Sequence, residues 1–160
     1  MGVSRMKHCI INNYSNEADC VIVKNRFLRE IYTHQKSNLS EAWFFRLIFD
    51  QSILDISSEM TSVGGWQEIG RLIFNKPPYI INSNSLKSYP FKEFEIINID
   101  FYYYIYKDIK ILNGVNFIGH NDSVGFLGGV SPGAISISSS IFNVKCSSEL
   151  DWNDLQRKRS

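Results

Sequence analysis

The sequence predicts an α+β fold: one domain over residues 1–160, built on a mainly antiparallel twisted sheet with one long and one short helix packed on one face. Three observations carry that expectation. Phe94 to Tyr106 is the longest run of aromatic and β-branched residues free of Gly and Pro, as a long half-buried strand requires. Phe45, Phe49, Ile53 and Ile56 recur at the spacing of one helix face. Asn113-Gly114 stands between the apolar runs Lys110 to Leu112 and Val115 to Ile118, a strong hairpin signal because both residues tolerate positive φ.

In chain order, residues 1–6 are expected to be loose. His8 to Ile11 and Cys20 to Lys24, separated by the turn-rich NNYSNEAD, read as a hairpin. Asn38 with Glu41 resembles a capping box and opens the long helix, whose row Ala42, Phe45, Phe49, Ile53, Ile56 is widened by Phe44, Leu47 and Ile48. After SVGG, Trp66, Ile69 and Ile73 predict a short helix ending at NKPP, because Pro cannot continue a helix. Tyr79 to Asn82 reads as a short strand. In the central strand Ile96, Asn98, Asp100, Tyr102, Tyr104 and Tyr106 share one face. The opposite face, Ile97, Ile99, Phe101, Tyr103 and Ile105, should meet the long helix. Val124 to Leu127 and Ala134 to Val144 continue the sheet, with a phase change near Ser139 to Ile141 that predicts a bulge. The closing SSELDWNDLQRKRS starts as a helical turn, and residues 156–160 are expected to fray as a basic tail.

Seventeen basic against sixteen acidic residues give a net charge of +1, so nothing global draws this chain to nucleic acid or an anionic membrane. No run is long and apolar enough to span a bilayer. Three irregularly spaced cysteines, Cys9, Cys20 and Cys146, argue against a disulfide framework and for reduced thiols in the cytoplasm. His8, Cys9 and Cys20 lack the second ligand pair of a zinc site, and no metal or cofactor is expected.

Motifs for chemistry fall short in specific ways. Gly125 to Gly133 has no Lys to reach a phosphate and reads as a strand-to-strand loop. His120, with Asn121 and Asp122, could act as a general base if a carboxylate oriented it, yet Cys146 and Ser136 to Ser140 have no spacing that ties them to it. Glu93, Glu95, Asp100 and Asp108 alternate along or cap one strand and read as solvated charges. Tyr102, Tyr103 and Tyr104 lack the interleaved cations of an RNA platform, and Arg157, Lys158 and Arg159 are too short a cluster for a nucleic-acid arm. Asp55 and Glu59 form one acidic patch. Trp152 among Glu149, Asp151 and Asp154 forms another, with an aromatic anchor inside an acidic rim.

An Ile/Asn/Ser/Tyr-rich domain of this size, carrying those acidic patches and no assembled catalytic set, resembles the small immunity proteins of bacterial contact-dependent inhibition and related polymorphic toxin systems. That resemblance implies a non-enzymatic role: binding a cognate toxin domain, often a nuclease, and occluding its active site or substrate groove. On the residues themselves the contact surface is expected at Asp55, Glu59, Asp100, Tyr102, Tyr104, Glu149, Asp151, Trp152 and Asp154. A small hydrolase using His120 and a nucleic-acid or ligand-binding adaptor are the alternatives. The oligomeric state is left open.

Overall fold

The structure, a computed structural model, describes residues 17–34, 42–64, 67–75, 85–107, 109–129, 134–139 and 152–160. It corrects the expected fold class. Almost every described element is a strand, and neither predicted helix forms. The elements are α1 (Glu17–Val21), β1 (Phe27–His34), β2 (Phe44–Phe49), β3 (Ile53–Gly64), β4 (Gln67–Asn75), β5 (Leu86–Glu95), β6 (Asn98–Tyr106), β7 (Ile109–Ile118), β8 (Ser123–Gly128), β9 (Ile135–Ser139) and β10 (Gln156–Arg159), with a 3-10 turn at Trp152–Asp154 before the last strand.

Two five-stranded antiparallel sheets share one plan. In the first, β1 to β4 run as a meander and β5 returns to pair with β1, giving the order β4-β3-β2-β1-β5. In the second, β6 to β9 meander and β10 returns to β6, giving β10-β6-β7-β8-β9. The inner faces meet in a common core, where Phe45 packs edge-on against Phe126 at 5.1 Å and Phe74 against Phe101 at 6.3 Å. Such pairs add to plain area burial because the positive edge of one ring meets the negative face of the other.

The predicted long helix is β2 and β3, and the physical reason lies in the spacing itself. A step of four residues satisfies a strand period of two as well as a helical period of 3.6. The segment's Phe and Ile content favours a pleated surface, and Phe45, Leu47 and Phe49 alternate inward along β2. Asp50, Gln51 and Ser52 supply the turn, closed by Phe49 N–H donating to Ser52 O at 2.8 Å. The predicted short helix is β4, on which Leu72 and Phe74 face the common core while Ile69 packs with Ile111 in a smaller cluster. Cys20 to Lys24 is not a strand either: Cys20 is the buried residue of α1.

The single central strand divides in two. β5 ends at Glu95, and Ile96-Ile97 carries the chain from one sheet to the other. Ile96 N–H donates to Arg26 O at 2.9 Å and its carbonyl accepts from Asn25 N–H at 2.7 Å, while Ile97 N–H donates to Ile118 O at 2.7 Å. Ile96 is therefore buried, not on the polar face with Asp100. Beyond the crossing the alternation holds, and Ile99, Phe101 and Tyr103 are buried; Phe101 meets Phe74 of β4 rather than the predicted long helix, and the Tyr103 hydroxyl donates to Glu17 of α1.

Asn113-Gly114 is not a turn. It lies inside β7, where Tyr102 opposes Gly114 and Tyr103 opposes Leu112, so Asn113 is the extra residue of a β-bulge. The connection of this pair falls instead between Tyr106 and Ile109, which lie opposite each other, with Lys107 at φ 54°. The bulge re-aims the Asn113 side chain, whose Nδ2 donates to Gly70 O of β4 at 2.7 Å and to Gly128 O of β8 at 3.1 Å. Gly70 N–H donates to Gly129 O at 2.9 Å. Both glycines are required by this close approach: a Cβ at Gly70 would stand 2.9 Å from Gly129 O, and one at Gly128 would stand 2.9 Å from Gly70 O.

Residues 156–160 are not a loose tail but strand β10 and its end, paired with β6 from Gln156 opposite Tyr103 to Arg159 opposite Asp100. Gly125 to Gly128 belong to β8 rather than to a loop. The capping-box residues Asn38 and Glu41, the strand at Tyr79 to Asn82, the bulge near Ser139 to Ile141 and residues 1–6 lie wholly or in part outside the described residues.

Replacing Asn113 with Ala removes two buried hydrogen bonds, those to Gly70 O and Gly128 O, and should destabilise the fold by about 1–3 kcal/mol. Urea denaturation followed by far-UV circular dichroism measures this directly; a loss below about 0.5 kcal/mol, the scale of a surface substitution, contradicts the role assigned to Asn113.

Candidate functional site

The expected contact residues are mostly engaged within the fold. Asp55 is fully buried on β3, where Arg46 of β2 grips it with a two-point fork, Nε to Oδ1 at 2.8 Å and Nη2 to Oδ2 at 3.0 Å. That hydrogen bond holds the Arg46 guanidinium even more firmly in its charged form, raising its pKa. Glu59 is more open, and accepts from Arg71 Nη2 at 2.9 Å. Asp100 is buried on β6 and takes a second fork from Arg159 of β10, at 2.8 and 3.1 Å, with Arg157 at 4.0 Å. Tyr104 is half-buried beside Ile69 and Ile111.

Trp152 lies flat on the second sheet rather than standing out as an anchor. Its ring meets Tyr102 edge-to-face at 4.6 Å. Beneath it are two glycines on neighbouring strands: a Cβ at Gly114 would stand 2.9 Å from Trp152 Cζ3, and one at Gly125 would stand 3.0 Å from its Cζ2. The indole fills a recess made by two missing side chains. Burial, and then the Asp100 charge, raise the Tyr102 pKa. Asp154 is exposed; Glu149 and Asp151 lie outside the described residues.

The groups considered for catalysis are scattered. His120 Nε2 lies 3.3 Å from Glu95 Oε1, so a carboxylate does stand beside this histidine, on an exposed loop closed by Gly119 N–H donating to Asp122 O at 2.8 Å. Ser136 and Ser139 are on β9, and Cys146 lies outside the described residues. Cys20 is sealed in the core; burial pushes its thiol pKa up, with Glu17 and Asp19 adding to the effect, which suppresses the nucleophilic thiolate. Burial followed by the hydrogen bond to Glu17 likewise raises the Tyr103 phenol. Among the described residues no His, Cys, Asp and Glu cluster could hold a metal ion.

One residue the sequence reading passed over stands out. Trp43 is 70% exposed, the larger of two big apolar side chains left open among the described residues; Ile22 is the other. Its backbone is held on both sides. Ala42 exchanges two hydrogen bonds with Ile135 of β9, at 2.9 and 2.7 Å, and Phe44 opens β2, with its carbonyl accepting from Thr33 Oγ1 at 2.8 Å. The His34 ring meets the indole edge-on at 6.1 Å and also lies 6.0 Å from buried Phe44, which carries the Arg46 guanidinium 5.5 Å above its ring. A large aromatic side chain is thus presented from a fixed platform.

No protein-family profile, curated protein or solved structure matches this chain.

A Val at Gly125 would occupy the indole's recess. The expected result for Gly125→Val is a loss of about 1–3 kcal/mol, the usual scale of overpacking, with faster amide hydrogen exchange in Gln156 to Arg159 as Trp152 lifts. Unchanged exchange in β10 would show that the indole does not hold this segment down.

Proposed function

We propose that this chain is a protein-binding domain acting as an immunity protein, which neutralises a cognate toxin domain by covering its active site or substrate groove. The observation that carries this reading is Trp43, exposed on a backbone fixed by both sheets. An indole in water gains free energy when a partner pocket covers it, and a pre-set backbone spares the ordering cost that weakens most contacts. Aromatic residues of this kind supply a large share of binding energy at protein interfaces.

The expected acidic contact surface is narrowed accordingly. Asp55 and Asp100 are buried carboxylates held in guanidinium forks, so meeting a cationic partner would require either to leave its buried position and break a two-point pair. Glu59 and Asp154 retain open carboxylates that can favour a basic toxin surface. Inhibition then comes from steric cover by an aromatic anchor, with charge tuning the approach.

Calorimetric titration with the toxin domain encoded beside this chain tests the reading, and binding is expected below micromolar Kd. Trp43→Ala should weaken it by about 2 kcal/mol, roughly thirtyfold, while leaving the thermal midpoint unchanged. No heat at micromolar concentrations overturns the proposal; wild-type affinity in the Trp43→Ala variant removes Trp43 from the contact.

A further inference from the structure

The segment Trp152 to Ser160 is attached to the second sheet in the manner of a bound peptide. It brings an aromatic anchor, a short strand and an arginine, and each finds a dedicated receiver. The indole of Trp152 drops into the Gly114/Gly125 recess under Tyr102. Gln156 to Arg159 add a strand to the edge of β6. Arg159 delivers its fork to Asp100, and Ser160 closes the end with its N–H and its hydroxyl both donating to Ile99 O at 2.9 Å. β10 itself is exposed at all four positions, so the sheet beneath it carries the specificity.

We propose that the β6 edge, together with Asp100 and the Gly114/Gly125 recess, is a peptide-binding site for extended basic segments that carry a Trp and an Arg at the spacing of Trp152 and Arg159, occupied here by the chain's own residues 152–160. Backbone pairing provides affinity in such strand addition, and side-chain pockets provide choice. Here the choice is built from charge. Asp100 is buried, so a ligand that displaces Arg159 must bring its own guanidinium or leave a carboxylate stranded. A lysine cannot reproduce the two-point fork. The own segment acts as a tethered competitor, which a partner strand of the same chemistry exchanges with. This site is on the other sheet from β2 and Trp43, so it goes beyond the immunity reading and its test involves no toxin.

The test uses the full-length chain and a fluorescent peptide with the sequence of residues 152–160, followed by anisotropy. Arg159→Ala weakens the tethered competitor and should bind the peptide saturably, about tenfold more tightly than wild type. In that background Asp100→Asn should abolish binding, and a peptide with Arg159→Lys should bind about fivefold more weakly. Equal binding by wild type and Arg159→Ala, no binding by either, or binding that survives Asp100→Asn each overturns the proposal. If circular dichroism shows Arg159→Ala unfolded, Arg159→Lys loosens the fork while keeping the charge, and the same comparison decides.

Discussion

The contact on which this architecture depends is the Asn113 side-chain amide, which reaches from the bulge of β7 to two backbone carbonyls, Gly70 O and Gly128 O. Two stacked sheets ordinarily meet only through side chains about 10 Å apart. At this corner they come close enough for backbone to meet backbone, with Gly70 N–H donating to Gly129 O, and glycines at 70 and 128 leave the room. The bulge makes that possible. Without the extra residue, Asn113 would point along the regular alternation of β7. The exchange of hydrogen bonds between Ala42 and Ile135 and the Ile96-Ile97 crossing tie the sheets together elsewhere.

What was legible in the sequence follows from which signals carry a unique period. The alternation from Ile99 to Tyr103 has one reading and marks the inner face of β6 correctly. The four-residue step from Phe45 to Phe49 has two readings and cannot choose between them, whereas Ile53 and Ile56, three apart, fall on opposite faces of β3; the turn residues Asp50 to Ser52 were the missed discriminator. Asn113-Gly114 adopts no positive φ here: the bulge uses the Asn113 amide as a donor, and Gly114 leaves room for the Trp152 ring. Gly114, Gly125 and Gly128 read as punctuation, and Gly70 as part of a short helix, because their task is set by residues far away in sequence, Trp152 and Asn113 among them.

The same distance hid the candidate site. Asp55 and Asp100 look like free surface acids until β2 and β10 bring Arg46 and Arg159 across from them, and charge counting along a chain cannot register a cross-strand fork. Trp152 looks exposed among acids until two glycines open a place for it. Trp43, conversely, has no sequence signal that sets it apart from its neighbours in AWFF, and is exposed between the bridge at Ala42 and the start of β2. Among the described residues the buried acids Asp55 and Asp100 are paired, and Trp43 is the most exposed large apolar side chain.

Native-state hydrogen exchange across a denaturant series tests most directly whether the corner at Asn113 makes the two sheets one cooperative unit. The amides of Leu47 and Ile56 in the first sheet and of Phe117 and Phe126 in the second should converge on a single opening free energy equal to that of global unfolding. Separate isotherms, with one sheet exchanging while the other stays protected, would contradict it.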